Sequence, residues 1–266
     1  MEWRFLLKIR QEITNKLLEI EQKEQVKILY AVESGSRAWG VESPDSDYDV
    51  RFVYVRPMKE YLKLQEQNDI IEWQLDEVFD MNGWDLKKTL IQFYKGNATL
   101  FEWANSPIVY KTTDEWNGIY KQCRHYFSEK IALYHYYGTA NSTFKQYLQE
   151  DKVWYKKYIY ALRTLLACRF IEYNHTIPPV CFENLLPCIS SKPLLNEIET
   201  MLAVKASSDE KDLNPQLPMI QQYIQQELVR YKQLSKAMED DRMADWKTLD
   251  DIFVKIVTSL ETSFAC

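Results

Sequence analysis

The chain of 266 residues is poor in the residue types that mark several common classes of protein. It has six glycines, three histidines in separate segments, and five cysteines, none of which form a C-x-x-C pair. Neither a zinc site nor a disulfide framework is therefore expected, and the thiols should be reduced. There is no low-complexity tract and 46% of the residues are hydrophobic, which indicates an ordinary globular protein.

The sequence also lacks a long apolar run. No stretch approaches the roughly 20 apolar residues that a membrane-spanning helix needs. The first 25 residues carry acidic charge where a signal peptide would not, and they space Leu6, Ile9, Ile13, Leu17 and Ile20 as an amphipathic helix does. We expect a cytoplasmic protein with no membrane partner, and the sequence does not indicate an oligomeric state.

Excess positive charge is absent as well. The net charge of −6 argues against a large nonspecific nucleic-acid surface, because affinity for phosphates comes from clustered cations. A local basic groove is still possible over residues 152–169, where lysines and arginines alternate with aromatics, although a buried helix with solvated lysines explains the same pattern. Arg163 lies inside an apolar run, where a guanidinium needs an anionic partner, and we predict a nucleotide contact for it.

Two aspartates follow a Gly-Ser pair between two predicted strands. Residues 27–32 form a short apolar run, and residues 48–55 (YDVRFVYV) are rich in β-branched and aromatic residues. Gly35 and Ser36 should therefore open a strand-to-helix turn. Asp47 and Asp49 are two apart, so a strand would present both carboxylates on one face.

This pattern predicts a site for a metal-bound triphosphate. Two carboxylates and phosphate oxygens suit Mg²⁺ or Mn²⁺, and two such ions could clamp an in-line displacement. Gly35 allows close approach of the backbone to a phosphate, Ser36 offers a hydroxyl and an amide, and Arg37 follows directly. A plain polar turn over residues 44–47 would not explain why Asp49 interrupts the apolar alternation.

These residues carry a resemblance to a known family. The segment G-S-R-A-W-G-V-x-S-x-x-S-D-Y-D-V-R resembles the signature of the DNA polymerase β-like nucleotidyltransferase superfamily and, within it, the YcgL-like predicted nucleotidyltransferases, some of which are associated with RNA repair. Residues 83–88, 95–97, 102–103, 106–110 and 155–179 are similar to the same group. The resemblance therefore covers most of the chain.

The resemblance implies an α/β (α+β) fold with a small mixed sheet flanked by helices, and magnesium-dependent transfer of a nucleoside monophosphate from a nucleoside triphosphate, ATP in the first instance, with release of pyrophosphate. It also implies a third carboxylate, which would act as general base or as a second metal ligand. Asp80 is preferred for this role because Val78 and Phe79 suit a strand, whereas Asp85 suits the N-cap of residues 86–93.

The remaining expectations concern the organisation of the chain and its acceptor. We expect a catalytic domain over 1–110 and a mostly helical domain over 111–266, with the cleft between them. Lys88 and His135 are further candidates for nucleotide contacts, although each residue type is more often solvated or packed. The acceptor hydroxyl could belong to an RNA or tRNA end, to a protein, or to a small molecule held by an acidic pocket of Glu33, Glu42 or Glu102. A noncatalytic nucleotide sensor is the alternative class.

Overall fold

A five-stranded mixed sheet forms the first half of the molecule. The computed structural model describes residues 2–43, 45–65, 67–73, 78–206 and 212–261, with side chains from residue 7 onward. Its strands are β1 (Lys27–Glu33), β2 (Tyr48–Val55), β3 (Ile70–Trp73), β4 (Phe79–Asp85) and β5 (Val109–Thr112). They lie in the order β3-β4-β2-β1-β5, and only the β2–β4 pair is parallel.

Helices flank this sheet and make up most of the second half. They are α1 (Glu2–Glu24), α2 (Gly35–Ala38), α3 (Met58–Tyr61), α4 (Leu86–Tyr94), α5 (Ala98–Ala104), α6 (Asp114–Cys123), α7 (Glu129–Tyr147), α8 (Tyr155–Asn174), α9 (Lys192–Ala206), α10 (Pro218–Ala237) and α11 (Trp246–Leu260). Two 3₁₀ turns, Arg124–Tyr126 and Glu183–Cys188, and a two-stranded ribbon of β6 (Lys152–Trp154) and β7 (Leu213–Pro215) complete the described elements. The predicted fold class is confirmed.

Alternation along β2 gives the sheet two different faces. Tyr48, Val50, Phe52 and Tyr54 pack against α1, which presents Ile13, Leu17 and Ile20 to them. The opposite face carries Val53 and Val55 toward α4, α6 and α11, but nearer the start of the strand it carries Asp49 and Arg51. This face of β2 thus changes from polar to apolar along its length, and a functional site can form at its polar end.

The helical half has its own core, built around α8. Twelve residues of this helix are buried, and α7 and α10 pack beside it. The last helix, α11, returns to the first half and contributes Leu249 and Ile252 to the core beside α4. The division of the chain near residue 110 stays a prediction. With α11 the chain returns from the helical half to the half that holds the sheet.

Most element predictions near the site agree with the structure. The strand expected at 27–32 is Lys27–Glu33, and the strand expected at 48–55 has those bounds. The sequence predicts Asp80 near the end of a strand, but Asp80 is the second residue of β4, because that strand begins at Phe79 and runs on to Asp85. The polar segment 206–218 predicts a break in the helical half, and its residues 207–211 lie outside the described residues.

No helix among the described residues is both long enough and apolar enough to cross a bilayer.

Close packing between β2 and β4 gives a first testable prediction. Gly83 lies opposite Phe52, and a Cβ added at Gly83 would meet the Phe52 ring at 2.1 Å. Because the ring is fully buried, we expect Gly83→Ala to lower the free energy of unfolding by about 1–3 kcal/mol, measured by urea denaturation. The control is Gly118→Ala on α6, where nothing lies within 4 Å of the added Cβ. That variant should gain up to about 1 kcal/mol, and equal effects at both glycines would contradict the packing explanation.

Candidate nucleotidyltransferase site

The ends of three strands bring the predicted carboxylates to one edge of the sheet. β1 runs antiparallel to β2, so Glu33 at its end lies opposite Val50 near the start of β2. β2 runs parallel to β4 with Asp49 paired to Asp80. Residues in register point to the same face of a sheet, and Asp49 and Asp80 are therefore side by side.

A guanidinium joins these two carboxylates. Nη2 of Arg51 donates to Oδ1 of Asp49 and to Oδ2 of Asp80, both at 2.8 Å. Its Nη1 donates to the backbone oxygens of Asp80 at 2.8 Å and Val50 at 3.2 Å. Sequence reasoning missed Arg51, although the spacing of two residues from Asp49 placed it on the same face.

The Gly-Ser turn presses against Asp49 from the other side. The amide of Ser34 donates to the carbonyl of Asp49 at 2.8 Å. Gly35 has a φ of +61°, and a Cβ there would lie 2.0 Å from Oδ2 of Asp49. Only glycine fits this left-handed position and this close approach. The turn begins the four-residue helix α2, in which Ser36 is buried.

Arg37 fixes the loop that carries Asp47. Its Nε donates to the backbone oxygen of Asp47 at 3.0 Å, Nη2 donates to that of Ser46, and the guanidinium lies 3.8 Å from the centre of the Tyr48 ring. The Asp47 side chain is exposed just before β2 begins. In the structure, then, Arg37 holds the backbone at Asp47 and leaves that carboxylate open to solvent.

Several charges converge on Asp49. Burial, followed by the negative charges of Asp47 and Asp80, raises the pKa of the Asp49 carboxyl. The positive charges of Arg51 and Lys156 oppose this shift. Lys156 belongs to the first turn of α8, so the helical half contributes a cation to the electrostatics of the site.

Glu33 supports the site from beneath. This carboxylate is 1% exposed and accepts the amide of Asp49 at 2.7 Å and the hydroxyl of Tyr110. Burial raises its pKa to about 7. Sequence reasoning considered Glu33 for an acidic acceptor pocket, but its contacts orient the backbone of Asp49. An acidic residue ending a buried strand directly before the Gly-Ser turn was the available signal.

The donor set fits a hard divalent cation in its chemistry. Asp47, Asp49 and Asp80 offer carboxylate oxygens, and the absence of a Cβ at Gly35 leaves room for the Asp49 carboxylate itself. Among the described residues, no three acidic, histidine or cysteine side chains are grouped as a metal site. The place between Asp49 and Asp80 is taken by the Arg51 guanidinium.

Asp85 and Lys88 lie at the far end of β4. Five residues at about 3.3 Å each separate Asp85 from Asp80 along the strand. The Asp85 carboxylate caps α4 by accepting the amide of Lys87 at 2.7 Å and also accepts the Tyr61 hydroxyl at 2.9 Å. Lys88 pairs with Asp69 at 3.0 Å. The predicted N-cap is confirmed, and the structure does not bring Asp85 or Lys88 to the other carboxylates.

Arg163 is enclosed behind the Gly-Ser turn. It is 2% exposed, donates to Glu102 at 2.9 Å and to the Val180 carbonyl at 3.1 Å, and lies 4.4 Å from the Trp39 ring. Glu102 is the anionic partner that sequence reasoning required for it. The side chain of His135 is exposed on α7, edge-on to the Tyr136 ring at 5.5 Å.

The comparison with protein families gives the class of protein, the polymerase β-like nucleotidyltransferases. Residues 9–255 match the family described as RNA repair pathway DNA polymerase beta family, and the chain belongs to that family. It is 42% identical over 238 residues to a Bacillus subtilis (strain 168) protein named uncharacterized protein YcgL, which covers 88% of this chain and 91% of the relative. The crystal structure of a nucleotidyltransferase-like protein from Exiguobacterium sibiricum 255-15 aligns with 85% of this chain and 75% of its own, at 13% identity and a TM-score of 0.29. The predicted family is confirmed, and membership of it indicates nucleotidyl transfer as the class of reaction.

The buried ion pair of Arg163 gives a second prediction. Arg163→Met leaves the Glu102 charge without its partner, so we expect a loss of about 3–5 kcal/mol in the free energy of unfolding, measured by urea denaturation. Arg230→Met breaks a more exposed pair with Glu172 and should cost less than about 1 kcal/mol. Weakened nucleotide binding by Arg163→Met at undiminished stability would instead identify a nucleotide contact.

The Asp85 carboxyl gives a prediction about pH. Burial raises its pKa from 3.8 to about 6, so between these pH values the folded protein holds a proton that the unfolded chain releases. Stability should therefore fall as pH rises through this window, by about 3 kcal/mol at most. Asp85→Asn keeps a capping side chain but removes the titrating carboxyl. The unfolding free energy of this variant should therefore not show the fall with rising pH that is due to Asp85.

Asp245 is the matched control for that experiment. It caps α11, but hydrogen bonds from Thr248 lower the pKa of its carboxyl, so its contribution to stability grows as pH rises. Asp245→Asn should change the pH slope in the opposite direction. The same slope in wild type and Asp85→Asn would refute the raised pKa of Asp85.

Proposed function

We propose that this protein is a metal-dependent nucleotidyltransferase that moves a nucleoside monophosphate from a nucleoside triphosphate, in the first instance ATP, to the hydroxyl at an RNA or tRNA end. The observation that carries the proposal is the pairing of Asp49 with Asp80 on parallel strands beside the Gly35 turn. Family membership supports the reaction class, and the family's description supports an RNA acceptor.

In this proposal the acceptor hydroxyl oxygen attacks the α-phosphorus, the bond from that phosphorus to the β-phosphate oxygen breaks, and pyrophosphate leaves. Asp47, Asp49 and Asp80 would hold Mg²⁺ or Mn²⁺, which neutralises phosphate charge and orients the reacting oxygens when bound. The Asp80 side chain is 45% exposed, so an acceptor can reach it from solvent. We assign to Asp80 the proton that the hydroxyl loses.

The remaining residues position these groups. Glu33 and Ser34 hold the backbone of Asp49, and Arg37 holds the backbone of Asp47. The backbone amides of Gly35 and Ser36 would approach a phosphate from the turn that adjoins Asp49. Lys156 would meet the triphosphate from the helical half, since its charge already acts on Asp49. Arg163 supports the turn through Trp39.

A small cationic acceptor is the second candidate. A cavity of about 390 Å³ borders Asp80 and is lined by Arg51, Glu72, Asp80, Met81 and Asn82. Two of these five side chains are acidic, which favours an amine or amino alcohol over a polyanion at this position. An RNA end would instead approach along Lys156.

The experiment is an incubation with Mg²⁺ and each α-labelled nucleoside triphosphate, with cellular RNA and a mixture of amino alcohols as separate acceptors. We expect label in RNA from the wild type, and a loss of at least about a hundredfold with Asp49→Asn or Asp80→Asn, because each removes a charge from the reacting centre.

Asp85→Asn is the control for the third carboxylate and should retain transfer. Loss of transfer with Asp85→Asn but not with Asp80→Asn would reverse the assignment. Label in the amino alcohols alone would show that the acceptor is a small molecule and not RNA. No label in either would contradict nucleotidyl transfer to these two classes of acceptor.

A further inference from the structure

Asp49 and Asp80 form a pair of like charges, and the protein itself already sets one positive charge, that of Arg51, between them. One nitrogen of Arg51 contacts both carboxylates at 2.8 Å, and the side chains involved are 17% exposed for Arg51 and 23% for Asp49. A guanidinium here does what a bridging cation does, since it binds one oxygen from each acid. A metal ion that bridges the two acids and this guanidinium cannot occupy the same place.

We propose that Arg51 is an internal counter-ion that holds the metal site in a closed form and must move aside before a divalent cation can bridge Asp49 and Asp80. This inference rests on the proposed function for the identity of the two metal ligands. It makes Arg51 a positioning residue that sets how tightly the site binds metal, and it assigns no step of the reaction to it.

The sheet offers the guanidinium a second place. Arg51 is in register with Asn82 on β4, and Asn82 is in register with Glu72 on β3, so these three side chains form a row on one face of the sheet. The two strand spacings from Arg51 to Glu72 come to about 10 Å between backbones. The cavity of about 390 Å³ next to Asp80 lies along this row. Arg51 can therefore turn from Asp49 toward Glu72 and still face a carboxylate.

This movement exchanges the present contacts of Arg51 for contacts with Glu72. Of the four bonds that hold the Arg51 guanidinium, two go to the carboxylates that a metal would take over. The other two go from Nη1 to the backbone oxygens of Val50 and Asp80, and the guanidinium also gives these up when it turns toward Glu72. A divalent metal ion thus more than replaces the charge that leaves, because Arg51 sets one positive charge against the two carboxylates and the metal ion sets two.

The test is a titration of Mn²⁺, without nucleotide, into wild type, Arg51→Met and Arg51→Gln, followed by calorimetry and by the electron paramagnetic resonance signal of free Mn²⁺. Arg51→Met removes the competing charge, so we expect the Kd for Mn²⁺ to fall by about tenfold or more. Arg51→Gln keeps a hydrogen-bond donor for the backbone oxygens and also removes the charge. It should lower the Kd for Mn²⁺ as well, and it serves as the test variant if Arg51→Met folds poorly. Mn²⁺ should also raise the Tm of both variants more than that of wild type.

Arg230→Met is the matched control, because Arg230 also contacts two carboxylates, those of Glu172 and Glu227, on a different part of the chain. It removes the same charge from the protein and should leave the Kd within about twofold of wild type. Adding Asp80→Asn to Arg51→Met should abolish the gain, and Glu72→Gln should weaken Mn²⁺ binding by removing the second partner of Arg51.

A Kd for Arg51→Met and Arg51→Gln equal to or higher than that of Arg230→Met would overturn the proposal, as would the absence of Mn²⁺ binding to either Arg51 variant at millimolar ion. Transfer of label by the wild type, measured separately, distinguishes the two hypotheses. If transfer occurs while the Kd is unchanged, the counter-ion role fails alone. If the Kd falls while no acceptor is labelled, nucleotidyl transfer fails and the counter-ion role stands.

Discussion

Repulsion between two paired carboxylates is the constraint on which the site depends. The parallel register of β2 and β4 places Asp49 beside Asp80, and two negative charges at neighbouring strand positions destabilise a sheet unless a cation lies between them. Arg51 supplies that cation from the same strand. The Gly35 turn closes the space on one side of Asp49, and Glu33 fixes its backbone, so each neighbour limits where Asp49 can point.

The helical half holds this arrangement from outside. Arg163 on α8 joins Glu102, the Val180 carbonyl and the Trp39 ring, and so ties the helices to the end of α2. Lys205 on α9 is buried and donates at 2.6 Å to the carbonyl of Val41 and to the hydroxyl of Ser43. These contacts fix the chain on its way from the Gly-Ser turn to Asp47. Because the chain is fixed on both sides of the turn, the side chains that the turn carries keep their positions.

The features that the sequence predicted correctly depend on residues that are neighbours in the chain. The strand at 48–55, the turn at Gly35 and the N-cap at Asp85 depend on residues that are close in the chain. Arg163 was expected to need an anion, but its partner Glu102 is 61 residues away, and pairing at that distance depends on the packing of α5 against α7 and of α7 against α8. Lys88 was placed near the phosphates because the direction of β4 was unknown. Its parallel register with β2 carries Lys88 away from Asp49.

The return of α11 to the first half limits how the fold can be divided. Its residues Leu249, Ile252 and Ile256 cover the apolar end of the sheet face whose polar end carries Asp49. A fragment cut near residue 110 would leave that surface in water, where it favours aggregation. A minimal catalytic unit would have to keep residues 246–260, for example as a circular permutant in which this helix is joined ahead of α1. Residues 1–110 are continuous in the sequence, but the unit whose apolar surface is fully covered also includes α11.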